Sequence, residues 1–173
     1  MIETERLTLS PWLESDRPAF RAMTADPEVM HDYLAPWTAA ESDERFERQR
    51  VAFARDGHGK WALRLKGQDA FLGYCGVSPI WPDLPCAPGL EIGWRMTRAA
   101  WGHGYATEAA HAALKDIFAR TSADEVLSYT LPTNARSLAV MRRLRLTREP
   151  ARDFAYENGR PAVVHVAYRQ AWT

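Results

Sequence analysis

Cysteine is nearly absent. Cys75 and Cys86 are the only two in 173 residues, too few for a disulfide framework or a zinc site. No metal is therefore expected, and a reducing, cytoplasmic compartment is the default. Long apolar runs are missing too, and the opening MIETERLTLS has no apolar centre of the signal-peptide kind, so no membrane association is expected. Neither sign of charge dominates: 22 basic side chains balance 22 acidic ones. No global field gathers nucleic acid, and any anionic ligand must be held by local geometry. Repeats and low-complexity tracts are lacking as well, which leaves one domain over residues 1–173 with enough apolar residues for a core of its own.

What is present reads as a mixed α+β chain. TERLTLSPW, residues 4–12, alternates like a strand. From Asp16, a residue type that caps helices, a helix runs until Pro27 breaks it, and ESDERFERQRVAFARDG forms another that Gly57 ends. KWALRLK places Trp61, Leu63 and Leu65 on one strand face, and the turn GQD returns the chain into FLGYCGVSPI. PIWPDLPCAPG is a proline-rich loop, LEIGWRM a strand, and EVLSYTL (125–131) a buried strand followed by a helix from about Asn134 to Leu144. Near the C-terminus Asn158-Gly159 separates two strand-like runs, a hairpin signal.

The stretch RAAWGHGYATEAAHAAL, residues 98–114, carries the chemistry. It runs from a strand through a glycine loop into a helix expected over Tyr105–Ala119. On that helix Ala106, Ala109, Ala110, Ala113, Leu114 and Ile117 make one narrow apolar face, while Glu108, His111, Lys115 and Arg120 fall towards water. Glycines before a helix N-terminus leave amide donors exposed at the positive end of the helix dipole, which is an anion site. No Gly-Lys-Ser/Thr follows, so it is not a Walker loop. The dinucleotide fingerprint is also missing.

The core WGHGYATEA resembles the acyl-CoA pyrophosphate loop of the GNAT N-acetyltransferases, with the RimJ/RimL-type branch as the nearest match. TERLTLSPW, DPEVMHDYL, FLGYCGV, LEIGWRM and LPTNARSLAVMRRL extend the likeness over almost the whole chain. The resemblance implies the GNAT fold: a mostly antiparallel sheet of six to seven strands flanked by about four helices. It implies acetyl-CoA as cosubstrate, held by the amides of Trp101, Gly102, His103, Gly104, Tyr105 and Ala106. It further implies that backbone groups of Trp94, Arg95 and Met96 meet the pantetheine arm, as does Asn134, with Ser137 one turn along. The activity implied is transfer of an acetyl group to a primary amine by direct attack in a ternary complex. The partners are an amine acceptor, either a peptide N-terminus or a small molecule, and a second copy of the chain as a homodimer. A binding or sensing module with the same fold and no turnover is the alternative.

The chain departs from the pattern at three positions. Ala99 stands where the loop usually opens with Gln or Arg, with Arg98 one residue earlier. Met141 occupies the position of a tyrosine acid, and Arg145 that of a glycine ending the helix, which calls for a different cap. Two catalytic candidates remain. Glu91 either takes the amine's proton or forms an ion pair with Arg95 or another arginine. Ser137 either donates towards the thiolate sulfur or bonds within its own helical turn. His103 is expected at solvent near phosphate, and His165 is held as a substrate-side candidate. Trp37 and Trp81 hint at an acceptor pocket.

Overall fold

The computed structural model describes residues 1–172. Strands β1 (Ile2–Glu3) and β2 (Leu7–Ser10) open the chain. Helices α1 (Arg17–Ala25) and α2 (Ala39–Asp56) follow, then β3 (Lys60–Leu65), β4 (Gly73–Pro79) and β5 (Leu90–Met96). Helix α3 (Tyr105–Arg120) leads to β6 (Glu125–Thr130) and α4 (Ala135–Arg143). Three further strands close the fold: β7 (Thr147–Arg148), β8 (Phe154–Ala155) and β9 (Pro161–Tyr168). The sheet order is β1-β2-β3-β4-β5-β6-β9-β7, with β8 paired to β9. Among the described residues, the only parallel neighbours are β5 and β6.

Among the described residues, nine strands replace the six to seven expected. The additional ones, β1, β7 and β8, are two residues each, too short for a period-2 pattern to register. The first expected strand, residues 4–12, is shortened to β2, and β1 lies ahead of it.

Alternation sorts the sheet's two faces. Leu7, Leu9, Trp61 and Leu63 share a core with Ala109, Ala110, Ala113, Leu114 and Ile117, so α3 covers that face with its alanine stripe. Ala62 turns the other way, to join Trp12, Phe20 and Phe46 beneath α1 and α2. With both faces covered, polar side chains of β3 are buried as well. Arg64 meets Asp16, and both are almost fully out of solvent. That corrects the capping expectation. Asp16 makes no side-chain cap on α1, and its carboxylate instead accepts from the Leu13 amide at 2.8 Å and from Arg64.

Two helix ends are instructive. Gly57 ends α2 at φ +68° with its amide on the Phe53 carbonyl, as the sequence suggests. Helix α4 ends without glycine, yet its cap is the one glycine usually makes. Arg145 adopts φ +56° and donates to the Arg142 carbonyl, while Leu146 donates to Met141. This is the Schellman pattern, built on a residue that pays for it in steric strain. The expected change of cap does not occur.

Candidate active site

Strands β5 and β6 pair at a single register point, Glu91 with Leu127, steadied by the Ser128 hydroxyl donating to the Ile92 carbonyl at 3.3 Å. Beyond it the strands separate. The Thr97 amide donates to the carbonyl of Leu72, the residue before β4, and hydrogen-bonding direction alternates along an antiparallel strand. Odd-numbered residues of β5 therefore spend their backbone groups on β4, and Ile92, Trp94 and Met96 turn theirs to the opening. The Met96 carbonyl accepts from the Trp101 indole at 3.1 Å. The Trp94 amide and carbonyl and the Met96 amide are the groups left at this edge. Arg95 enters by its side chain: its guanidinium forks onto Asp32 at 2.8 and 2.9 Å.

On one side of the opening lies a cleft of about 660 Å³ between the Trp101–Thr107 loop and α4. Gly102 and Gly104 sit at φ +81° and +80°, in the left-handed region that costs other residues most. This double reversal turns the loop into the N-terminus of α3. Thr107 and Glu108 donate to the Gly104 carbonyl and Trp101 to Arg98. Among the described residues, no internal acceptor takes the amides of Gly102, His103, Gly104, Tyr105 and Ala106. Trp101 thus differs from the others expected in the cradle, because its amide is engaged and its ring forms cleft wall. The Thr107 hydroxyl is buried without a partner on the same wall. Donors in this arrangement fit a pyrophosphate.

The loop is braced from a distance. Glu108 accepts from the Thr4 hydroxyl at 2.5 Å, the Arg6 amide at 2.9 Å and Arg6 Nε at 2.7 Å. Arg6 also donates to the His103 carbonyl at 2.9 Å. Glu108 is therefore half-buried and bonded, not turned to water. Burial alone would raise its pKa, but the hydrogen bonds from Thr4 and Arg6 bring it below the usual carboxylate range. Arg98 turns away to Asp26 at 3.6 Å and does not line the cleft. Besides Arg95, which is held by Asp32, the guanidiniums that do line it are Arg136, stacked over Trp101 at 3.9 Å, and Arg143. His103 is exposed and stacks on Tyr105.

On the other side is a second cleft, about 530 Å³, walled by α2, the residues after α1 and the β8–β9 hairpin. Trp37 and Trp81 both line it, as does Met141. Glu91 lies on its floor with Lys60 Nζ 3.0 Å away, so the ion pair open to Glu91 is made by a lysine and not by Arg95. Tyr129 stands beside this carboxylate. Burial, then the neighbouring Glu91, push its phenol pKa far upward. Asp32, Trp94, Arg95 and Ser137 line both clefts and mark where they meet.

Asn134 caps α4: its Oδ1 accepts from the Ser137 amide at 3.1 Å and its Nδ2 donates to Thr130 at 3.0 Å. It is 3% exposed, so its first task is to fix the helix that carries Ser137. His165 lines neither cleft. It is buried on β9 opposite Ser128, and burial first, then Arg148, lower its pKa. Cys75 is core packing, with burial raising its thiol to about 12.

Residues 6–147 match the Acetyltransferase (GNAT) domain family. The chain belongs to it. GNAT enzymes take acetyl-CoA, and this one is an acetyl-CoA-dependent N-acetyltransferase. An acetyltransferase from Agrobacterium tumefaciens superposes with a TM-score of 0.81 at 28% identity, covering 96% of this chain and 93% of that one. The FsC-acetyl coenzyme A-N(2)-transacetylase of Aspergillus fumigatus is 29% identical over 147 residues, 81% of this chain and 62% of its own length. A RimL ribosomal alpha-N-protein acetyltransferase in complex with coenzyme A shares the fold at 16% identity, with a TM-score of 0.74 and 95% of each chain covered.

Proposed function

We propose that this GNAT enzyme acetylates a primary amine by direct attack within a ternary complex, the cofactor lying in the glycine-loop cleft and the amine in the Trp37/Trp81 cleft. The observation that carries this reading is that the two clefts meet at Asp32, Trp94, Arg95 and Ser137. When bound, acetyl-CoA supplies a thioester carbon for the amine nitrogen and a thiolate that leaves as the carbon–sulfur bond breaks. The amides of Gly102 to Ala106, with the Thr107 hydroxyl, hold the pyrophosphate, and Arg136 and Arg143 offer charge to the remaining phosphate. The edge amide and carbonyl of Trp94 meet the pantetheine arm.

Glu91 takes the proton that the attacking amine gives up, directly or through one water. Lys60 holds that carboxylate at the cleft floor. Ser137, at the junction, steadies the sulfur, whose proton comes from water or from the amine itself, because Met141 has none to give. Within the family, WGHGYATEA and the Asn134/Ser137 pair favour the RimJ/RimL-type branch. That branch describes the scaffold and leaves the acceptor open. Free thiol is followed with purified protein, acetyl-CoA and a panel of primary amines and N-terminal peptides. Amine-dependent release supports the reading, and release that ignores every amine contradicts it.

A further inference from the structure

The charge lining the acceptor cleft is not balanced. Its carboxylates are all engaged: Glu91 by Lys60, Asp32 by Arg95, and Glu41 by the Thr38 amide and hydroxyl at 2.7 and 2.8 Å. Lys60 and Arg95 are spent in those pairs, but the cleft's other cations have no carboxylate partner within it. Arg45 and Arg160 line the cleft and form no ion pair among the described residues. Arg48, also in the lining, is bonded only to Glu44, a side chain 69% exposed and outside the cleft. Arg45 and Arg48 are one turn apart on α2 and lie over the rings of Trp37 and Trp81, at 4.2 and 4.8 Å. Each guanidinium is thus stacked on a wall of the cleft. Arg160 faces them from the β8–β9 hairpin. The cleft therefore has an engaged carboxylate at its floor and spare guanidinium forks at its walls, with aromatic surface between.

From this we infer that the acceptor is a small amphoteric amine: a primary amine at one end, a carboxylate or phosphate at the other, and an apolar spacer between them. The inference rests on the acetyltransferase reading above and names the substrate class for that same site. The anion suits guanidinium forks, which bind planar oxyanions in pairs of hydrogen bonds. The volume, about 530 Å³, is that of a small-molecule site. A polycationic acceptor such as an aminoglycoside meets unpaired guanidiniums and no free carboxylate, which is repulsion built against it. The transfer itself is unchanged. A carbon–nitrogen bond forms, the carbon–sulfur bond breaks, and the amine's proton leaves by way of Glu91.

The test is a comparison of kcat/KM across two matched series at saturating acetyl-CoA. One is 6-aminohexanoate, hexylamine and 1,6-diaminohexane. The other is 4-(aminomethyl)benzoate, benzylamine and 1,4-bis(aminomethyl)benzene. The expected order in each is acid, then neutral amine, then diamine, with about tenfold or more between first and second. The acid preference shrinks as salt rises. In an Arg45→Gln/Arg160→Gln double variant the ratio of acid to neutral amine falls towards one. Equal rates across a series, or preference for the diamine, overturn the inference while leaving the transferase reading standing. Faster transfer to an acidic N-terminal peptide than to either acid overturns the small-molecule assignment. If no amine releases thiol from protein that binds acetyl-CoA, the transferase reading fails first.

Discussion

Lys60 Nζ lies 3.0 Å from Glu91 Oε1, and both side chains are nearly out of solvent, at 8% and 14% exposure. The pair joins neighbouring parts of the sheet: Lys60 on β3 reaches past Gly93 to a carboxylate two residues further up β5. It makes Glu91 a fixed group on the floor of the acceptor cleft.

Glu91→Gln keeps the shape and loses the base. Turnover falls roughly a hundredfold, while acetyl-CoA affinity, measured by calorimetry, hardly moves. The substitution also leaves the Lys60 ammonium buried without a counter-charge, so the melting temperature is followed beside it. Lys60→Met in the same background separates lost stability from lost chemistry. Wild-type turnover in a folded Glu91→Gln protein removes the carboxylate from the mechanism.

A methyl at Gly93 would stand 2.8 Å from Lys60 Nζ. The lysine tip is flexible enough to retreat, so Gly93→Ala leaves the protein folded but displaces the ammonium from Glu91. Turnover drops about tenfold through misplacement of the carboxylate, with the melting temperature close to that of the parent. Unchanged kcat means the pair is structural only.

Gly104→Val acts differently. Added atoms there meet nothing closer than Arg6 Nη2 at 3.6 Å, but φ is +80°, which a β-branched residue resists. The loop amides lose their alignment and acetyl-CoA binding is lost in a folded protein. Wild-type affinity by calorimetry contradicts the loop assignment.

These predictions separate what the sequence discloses from what it hides. The glycine loop and α3 are legible because their signals are local: glycines, a helix start and an alanine stripe within one run. The Asn158-Gly159 hairpin is legible for the same reason, with Gly159 at φ +77°. Partners set far apart along the chain are not. Glu108 and Arg6 are 102 residues apart, Arg95 and Asp32 63, Lys60 and Glu91 31. Helical periodicity assigns Glu108 to water because no local pattern shows that Thr4 and Arg6, in the turn between β1 and β2, cover it. Strand alternation placed Glu91 and Arg95 on one face correctly, yet could not say that each has a closer partner on another element.

Arg145 is the one non-glycine residue at positive φ among the described residues. Arg145→Gly keeps the Schellman cap and relieves the left-handed strain, less the extra freedom glycine has when unfolded. Stability rises by about 0.5–1 kcal/mol in urea denaturation. A loss of stability means that the arginine side chain contributes more than its backbone costs.

Glu108 ties loop integrity to pH. Its folded pKa is lowered from 4.5, so its contribution is full above that value and is lost as pH falls through the lowered one. Glu108→Gln costs about 1 kcal/mol near neutrality and flattens the acid limb of the stability curve. An unchanged acid limb assigns the transition to other carboxylates.

Ser137→Ala tests the sulfur contact. With no acid at Met141, loss of the hydroxyl lowers kcat about tenfold to a hundredfold without abolishing it, as for one hydrogen bond to a charged group. Full turnover leaves water as the sole proton source.

The claim on which all of this depends is that amine and thioester meet in one complex, across the shared wall of Asp32, Trp94, Arg95 and Ser137. Initial rates measured while acetyl-CoA and 6-aminohexanoate are varied together test it most directly. Double-reciprocal lines that intersect are the predicted result, because both substrates must be bound before the acetyl group moves. Parallel lines, the mark of an acetylated enzyme intermediate, contradict the account.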